Sequence, residues 1–168
     1  MTKPTYTLTL IILTCGLFAY GQTVQINEPK TDISKYSLTI STYNHAEQIF
    51  KGTLTYKLDK NILTISRRTM FSDKDTTLFS KTVDSNSIDR IKNIHLDKLK
   101  DLYFNRCIMT TSGNEYFVST TLDTVTKTIH LHHYYDKQIE ILIKELNKHI
   151  ADSLKIDYLT NETKQDCK

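Results

Sequence analysis

The stretch from Thr124 to Ile150 constrains this chain more than any other. Thr124–Tyr135 alternates apolar and polar residues with the period of a half-buried strand, and Asp136 then opens a run whose apolar residues recur at helical spacing. Val125, Ile129 and Leu131 fall on one side of the strand, with Thr126, Thr128, His130 and His132 on the other. Ile139, Leu142, Ile143, Leu146 and Ile150 make one stripe on the helix. A strand feeding straight into an amphipathic helix buries that stripe against a sheet, so the remaining elements must be arranged around this contact.

The rest of the chain supplies them. Tyr36–Tyr43 shows strand period with Tyr36, Leu38 and Ile40 on one side. Phe50, Gly52, Leu54, Tyr56 and Leu58 repeat it, with Lys51, Thr53, Thr55 and Lys57 pointing the other way. Asp59-Lys60-Asn61 separates that strand from Ile62–Arg68 and predicts a hairpin. Thr76–Val83 is a fourth strand, its inner side marked by Phe79 and Val83. Ser85 and Ser87 then offer caps to a helix carrying Ile88, Ile91, His95, Leu99 and Leu102 and ending near Asn105. Gly113 supplies a turn before Glu115–Leu122, a strand with Tyr116 and Val118 on one side and Phe117 on the other. The expectation is one α+β domain over residues 36–159: an antiparallel sheet of about six strands, ordered four strands, helix, two strands, helix, with both helices on one face. Residues 22–35, with Pro29, read as a linker or arm, and 160–168 as a disordered tail.

The amino-terminal 21 residues read as an address. Lys3 precedes an apolar run, Leu8 to Ala19, that is too short for the roughly 20 residues of a permanent membrane helix. Ala19-Tyr20-Gly21 then places small residues where a signal peptidase cuts, before Gln22. The expected destination is the periplasm or the cell exterior. An alternative is lipidation at Cys15, following Ile12-Leu13-Thr14, which would make the chain a lipoprotein; a membrane enters only by that route. Cleavage at Gly21 leaves 147 of the 168 residues and lowers the formal charge from +3 to +2, since Lys3 goes and no acid does. Lysines this dispersed do not form a nucleic-acid footprint. Export permits a disulfide between the two remaining cysteines, Cys107 and Cys167, or leaves both as thiols.

Catalytic signatures are scarce. Two glycines after the cleavage point, Gly52 and Gly113, cannot build a phosphate-cradling loop or a dinucleotide fingerprint. There is no hydrolase elbow and no zinc-protease spacing, and His45-Ala46-Glu47 lacks the cysteine pair of a deaminase. Asp73-Lys74-Asp75 has too few oxygen ligands for calcium and reads as a solvated loop. Cys107 beside some histidine is a conceivable nucleophile. The cluster with chemistry in it is His130 and His132, two apart on a strand and so on one side, as zinc or copper would require. A third ligand would have to come from His45, His149 or a carboxylate.

If both helices cover one face, the bare face displays Lys51, Thr53, Thr55, Lys57, Thr126, Thr128, His130 and His132, joined by Tyr43 and Tyr134 if registers allow. Such a face suits a protein, a peptide or a glycan. The ending, from His132-His133-Tyr134-Tyr135 through Lys144-Glu145-Leu146-Asn147 to Lys155-Ile156-Asp157-Tyr158, resembles the carboxyl-terminal part of small exported proteins of unassigned function from Gram-negative bacteria. That resemblance implies export and fold and carries no activity. Three functional expectations follow: a non-enzymatic exported binding protein, a metal-binding protein or metal-dependent enzyme using His130 and His132, and an inhibitor or immunity-type protein.

Overall fold

The computed structural model describes residues 35–44, 52–105 and 114–158. The chain divides into two units, Met1–Lys30 and Thr31–Lys168, and every element below belongs to the second. Cys15, Lys51, Cys107 and Cys167, with the processing, lipidation and disulfide expectations attached to them, lie outside the described residues, as does the proposed tail.

The elements run β1 (Tyr36–Asn44), β2 (Thr53–Asp59), β3 (Ile62–Arg68), β4 (Thr76–Thr82), α1 (Ser85–Lys92), β5 (Leu102–Phe104), β6 (Asn114–Leu122), β7 (Val125–His132) and α2 (Lys137–Asn147). Single 3-10 turns sit at Leu96–Lys98 and Asp152–Leu154. The strands form one sheet in the order β4-β3-β2-β1-β6-β7-β5. The fold is α+β with two helices, as expected, but the sheet has seven strands and is mixed: β5 runs parallel to β7, and all other pairs are antiparallel.

The seventh strand comes out of the predicted first helix, which ends at Lys92 rather than near Asn105. Its cap is Asp84, whose carboxylate accepts from the Ser87 backbone N–H at 3.0 Å; Ser85 and Ser87 lie inside the helix. Helical spacing persists in the sequence through Leu102, yet the outer edge of β7 needs hydrogen-bond partners, and this segment provides them. The His130 N–H donates to the Asp101 carbonyl at 2.8 Å, and the Asn105 N–H to the His132 carbonyl at 3.2 Å. Pairing across the sheet thereby outweighs local helical propensity. His95, placed by its spacing in the helix stripe, instead precedes the 3-10 turn with its side chain exposed, and Leu102 stands on the surface.

A single apolar cluster joins one face of the sheet to both helices. Leu38, Ile40, Tyr56, Leu58, Leu63, Ile65, Val118, Ile129 and Leu131 meet Ile88 and Ile91 of α1 and Ile139, Leu142, Ile143 and Leu146 of α2. Burying one such side chain contributes about 1.5–3 kcal/mol, so the α2 stripe is the largest helical contribution to the core. Asp136 caps α2, accepting from the N–H groups of Gln138 at 2.8 Å and Ile139 at 3.2 Å. Ile150 lies beyond the helix end and is buried all the same. The polar segment after Ala151 is tied down: the Asn147 amide donates to the Ile156 carbonyl and accepts from its N–H, each at 2.9 Å, which seats Ile156 in the core. Gly52, assigned by its spacing to the inner row of a strand, precedes β2 with φ +70°, and a Cβ there would lie 2.2 Å from the Arg68 carbonyl oxygen.

Candidate functional site

Two-residue turns set what faces outward. In the β6–β7 hairpin the turn is Asp123-Thr124, with Asp123 at φ 55°, a left-handed conformation that aspartate tolerates. The register that follows places Thr121 opposite Thr126, Ser119 opposite Thr128, Phe117 opposite His130 and Glu115 opposite His132. On the other side of β6, Thr39 faces Ser119 and Ser41 faces Phe117; on β2, Thr55 pairs with Ser41 and Lys57 with Thr39. All these residues alternate with buried ones, so they share the face that the core cluster does not use.

The predicted face is therefore assembled, with Thr53, Thr55, Lys57, Thr126, Thr128, His130 and His132 on it, but its hydroxyls are largely committed to one another. Ser41 and Thr55 are 3.3 Å apart, Ser119 and Thr128 3.2 Å, and Thr121 and Thr126 3.0 Å. Lys57 pairs with Asp59 at 3.0 Å. These are the cross-strand pairs of a sheet face, and each hydroxyl in them keeps capacity for a further partner.

The far end of the hairpin is different. Glu115 places Oε2 3.3 Å from His130 Nε2 and Oε1 3.2 Å from His132 Nε2. An ionised carboxylate can only accept, and Nε2 of each ring lies within reach of it as a donor. Phe117 stacks on His130, centroids 4.2 Å apart at 14°, and Phe104 of β5 stacks on His132 at 4.8 Å and 22°. His133 meets the His132 ring edge-on at 4.5 Å. The outer rim is apolar: Leu102 is 59% exposed, Phe104 50% and Phe117 38%. His133 is buried and has φ 49°, a left-handed value that histidine adopts more readily than most side chains and that turns the chain off β7 toward α2. The strand predicted to continue to Tyr135 accordingly ends at His132.

The structure thus brings His130 and His132 together as their spacing required, and adds Glu115, Phe117 and Phe104, which the sequence reading had not singled out. Glu115 and Phe117 were within reach of it: once the turn is set at Asp123-Thr124, antiparallel pairing puts them opposite His132 and His130. Phe104 depended on a strand hidden in a helical pattern. Of the suggested third ligands, His149 follows α2, in a turn whose chain enters the core cluster at Ile150, and His45 lies outside the described residues. Among the described residues no three His, Cys, Asp or Glu side chains are set to close around one metal ion, and no helix is long and apolar enough to cross a membrane. Asp73-Lys74-Asp75 forms an exposed loop held by Arg68, whose Nε donates to Asp75 at 2.6 Å.

No protein-family model matches the chain, and no curated protein matches it at a significant level.

Proposed function

We propose that the chain is an exported, non-enzymatic binding protein that docks a protein partner on the open sheet face, at the end where β5, β7 and β6 lie side by side. One observation carries the proposal: Leu102, Phe104 and Phe117 stand exposed around a carboxylate shared by two imidazoles. Protein interfaces are built in this way, with an aromatic and aliphatic centre inside a polar margin. Export is supported by Leu8 to Gly21, and the absence of catalysis by the missing signatures in the sequence. An inhibitor or immunity protein would use the same surface, its partner then being the enzyme or toxin it silences.

The test is capture from the native host with wild-type protein and with Phe104→Asp and Phe117→Asp, followed by cross-linking from position 117. One stoichiometric partner, cross-linked at 117 and lost in both variants, is the expected result. Equal capture by all three proteins would remove the open face from the proposal. Recovered protein should begin at Gln22; an intact Met1 would refute export. Turnover of a substrate, abolished by changing one polar residue, would refute the non-enzymatic assignment.

Zinc or copper at His130 and His132 is the second reading. It is favoured by the two imidazoles standing on one face of β7 with the Glu115 carboxylate beside both. A metal at either Nε2 would take the place of a hydrogen donated to Glu115. Elemental analysis of untagged protein decides it: absence of bound metal, and unchanged stability in a chelator, would end this reading.

A further inference from the structure

The core face of the sheet changes character at one end. Arg67 continues the row of Leu63 and Ile65, both fully buried, and the register sets it opposite Leu54 of β2, with Thr42 of β1 and Tyr116 of β6 next along. Beyond them Asn44 lies opposite Asn114, its Nδ2 donating to the Asn114 Oδ1 at 2.8 Å. Two tyrosines fasten the chain after α2 to this floor: the Tyr56 hydroxyl donates to the Leu154 carbonyl at 3.0 Å, and the Tyr116 hydroxyl to the Asp157 carbonyl at 2.6 Å. Floor and segment bound a pocket of about 630 Å³ whose lining includes Arg67, Asn114, Ser153, Lys155 and Asp157. That volume lies within the roughly 300–1,000 Å³ usual for small-molecule sites.

Arg67 is the charge this pocket leaves unmatched. Lys155 pairs with Asp152 at 2.7 Å, and among the described residues Arg67 has neither an ion pair nor a hydrogen bond. Its Nε is closed off from water, whereas its terminal nitrogens are not, so the outer edge of the guanidinium is the part a ligand can reach. Its charge acts within the pocket: burial pushes the Tyr56 phenol, on the same lining, up to about 12, and Arg67 opposes that rise. A guanidinium partly stripped of water and lacking a counter-ion holds a carboxylate through two N–H groups set to two oxygens. The remaining groups call for hydroxyls. Asn114 has amide hydrogens to donate, the Ser153 hydroxyl donates or accepts, and the exposed Asp157 carboxylate, when ionised, only accepts.

We infer that this pocket binds a small hydroxylated carboxylate, a sugar acid of one or two rings, with its carboxylate on Arg67 and its hydroxyls among Asn114, Ser153 and Asp157. Arg67 selects the sign of the ligand. Asp157 selects a hydroxyl over a second acid group, which it would repel. The pocket lies on the opposite side of the sheet from Phe117 and His130, so it stands whether or not that surface docks a protein.

Glucuronate is the probe, with glucose as its uncharged counterpart and acetate as the bare carboxylate. Binding to the whole chain is followed by calorimetry and by amide chemical shifts. Glucuronate should bind at least about tenfold more tightly than either, since only it can use both the charge-assisted contact and the hydroxyl contacts. The largest shifts should fall at Leu54, Asn114 and Ser153. Arg67→Met should weaken glucuronate about tenfold or more, and Arg67→Lys, which keeps the charge but loses the planar fork, should recover part of the loss. Ser153→Asp, at an exposed position, adds a carboxylate to the lining without touching Arg67 and should weaken glucuronate several-fold, so an Arg67 variant that failed to fold would not leave the inference untested. Equal affinity for glucuronate and glucose, acetate bound as tightly as glucuronate, equal affinity of Arg67→Met and wild type, shifts centred elsewhere, or no binding of glucuronate would each overturn it.

Discussion

The two ends of the β6–β7 hairpin use the same strand pairing and make opposite surfaces from it. At the turn end, Thr121 and Thr126 satisfy each other outward, and Leu122 and Val125 are left partly open inward. At the far end, Glu115 is wedged between two imidazoles, each stacked on a phenylalanine. The difference lies beyond the hairpin. β5 pairs with β7 only from His130 to His132, so the far end has a strand on its outer side while Val125 to Thr128 form a sheet edge. A neighbouring strand packs rings against rings and reduces contact with water; an edge is blunted by hydroxyls and by a lysine, Lys127, paired with Asp101. Which residues can do chemistry on this sheet is thus decided by which of its strands are flanked.

The sharpest way to break the comparison is to truncate both ends. Ile129→Ala, at a side chain 1% exposed, should cost about 2–5 kcal/mol in urea denaturation, and Val125→Ala no more than about 0.5 kcal/mol. A Val125 cost above that of Ile129 would mean that the turn end is the tighter of the two. Next in size is Glu115→Ala, which leaves two imidazoles without the carboxylate they share and should cost about 1–3 kcal/mol, with shifted ring resonances of Phe104 and Phe117. A cost near zero would show that Glu115 merely rests beside the histidines.

Any pH response attributed to the far end has to be separated from that of His149. Burial first, against opposing contributions from Asp84 and Glu145, holds the His149 pKa below its ordinary range. Its Nε2 is shut off from water without a hydrogen-bond partner. The unfolded imidazole takes up its proton near pH 6.5, whereas the folded one does so only at lower pH. Between those points the unfolded state binds more protons, so stability falls as pH drops from about 6.5 toward the folded value. His149→Gln should flatten that decline, and a parallel decline in wild type and variant would locate it elsewhere. The smallest effects belong to the turn end: Lys35→Ala breaks an exposed ion pair with Asp123, and Thr126→Val a hydroxyl pair, each within about 0.5 kcal/mol by the same denaturation assay.

Alternation and helical spacing made most of this architecture readable in advance. β1, β2, β3, β4, β6, β7, α2 and the start of α1 arise where periodicity places them, because a half-buried strand or helix must carry its burial pattern in its residues. What could not be read was decided by pairing between distant segments. Leu99 and Leu102 keep helical spacing but follow the chain into a turn and an edge strand, since β7 lacked an outer partner. The histidine pair was visible through its two-residue spacing; Glu115 became part of the site through hairpin register; Phe104 and the left-handed His133 left no local mark.

The place of β1 at the middle of the sheet bears on how the molecule comes into being. Its partner on one side, β2, emerges from the ribosome just behind it, but its partner on the other, β6, begins only at Asn114. For the time it takes to make those intervening residues, a four-stranded meander carries an oily underside and an unmated central edge at once, with α2 still unmade. A second nascent copy offers that edge the same β6 sequence, so the growing chain is most prone to exchange strands with its siblings before residue 122 is complete, and slow or crowded synthesis should yield interlocked dimers.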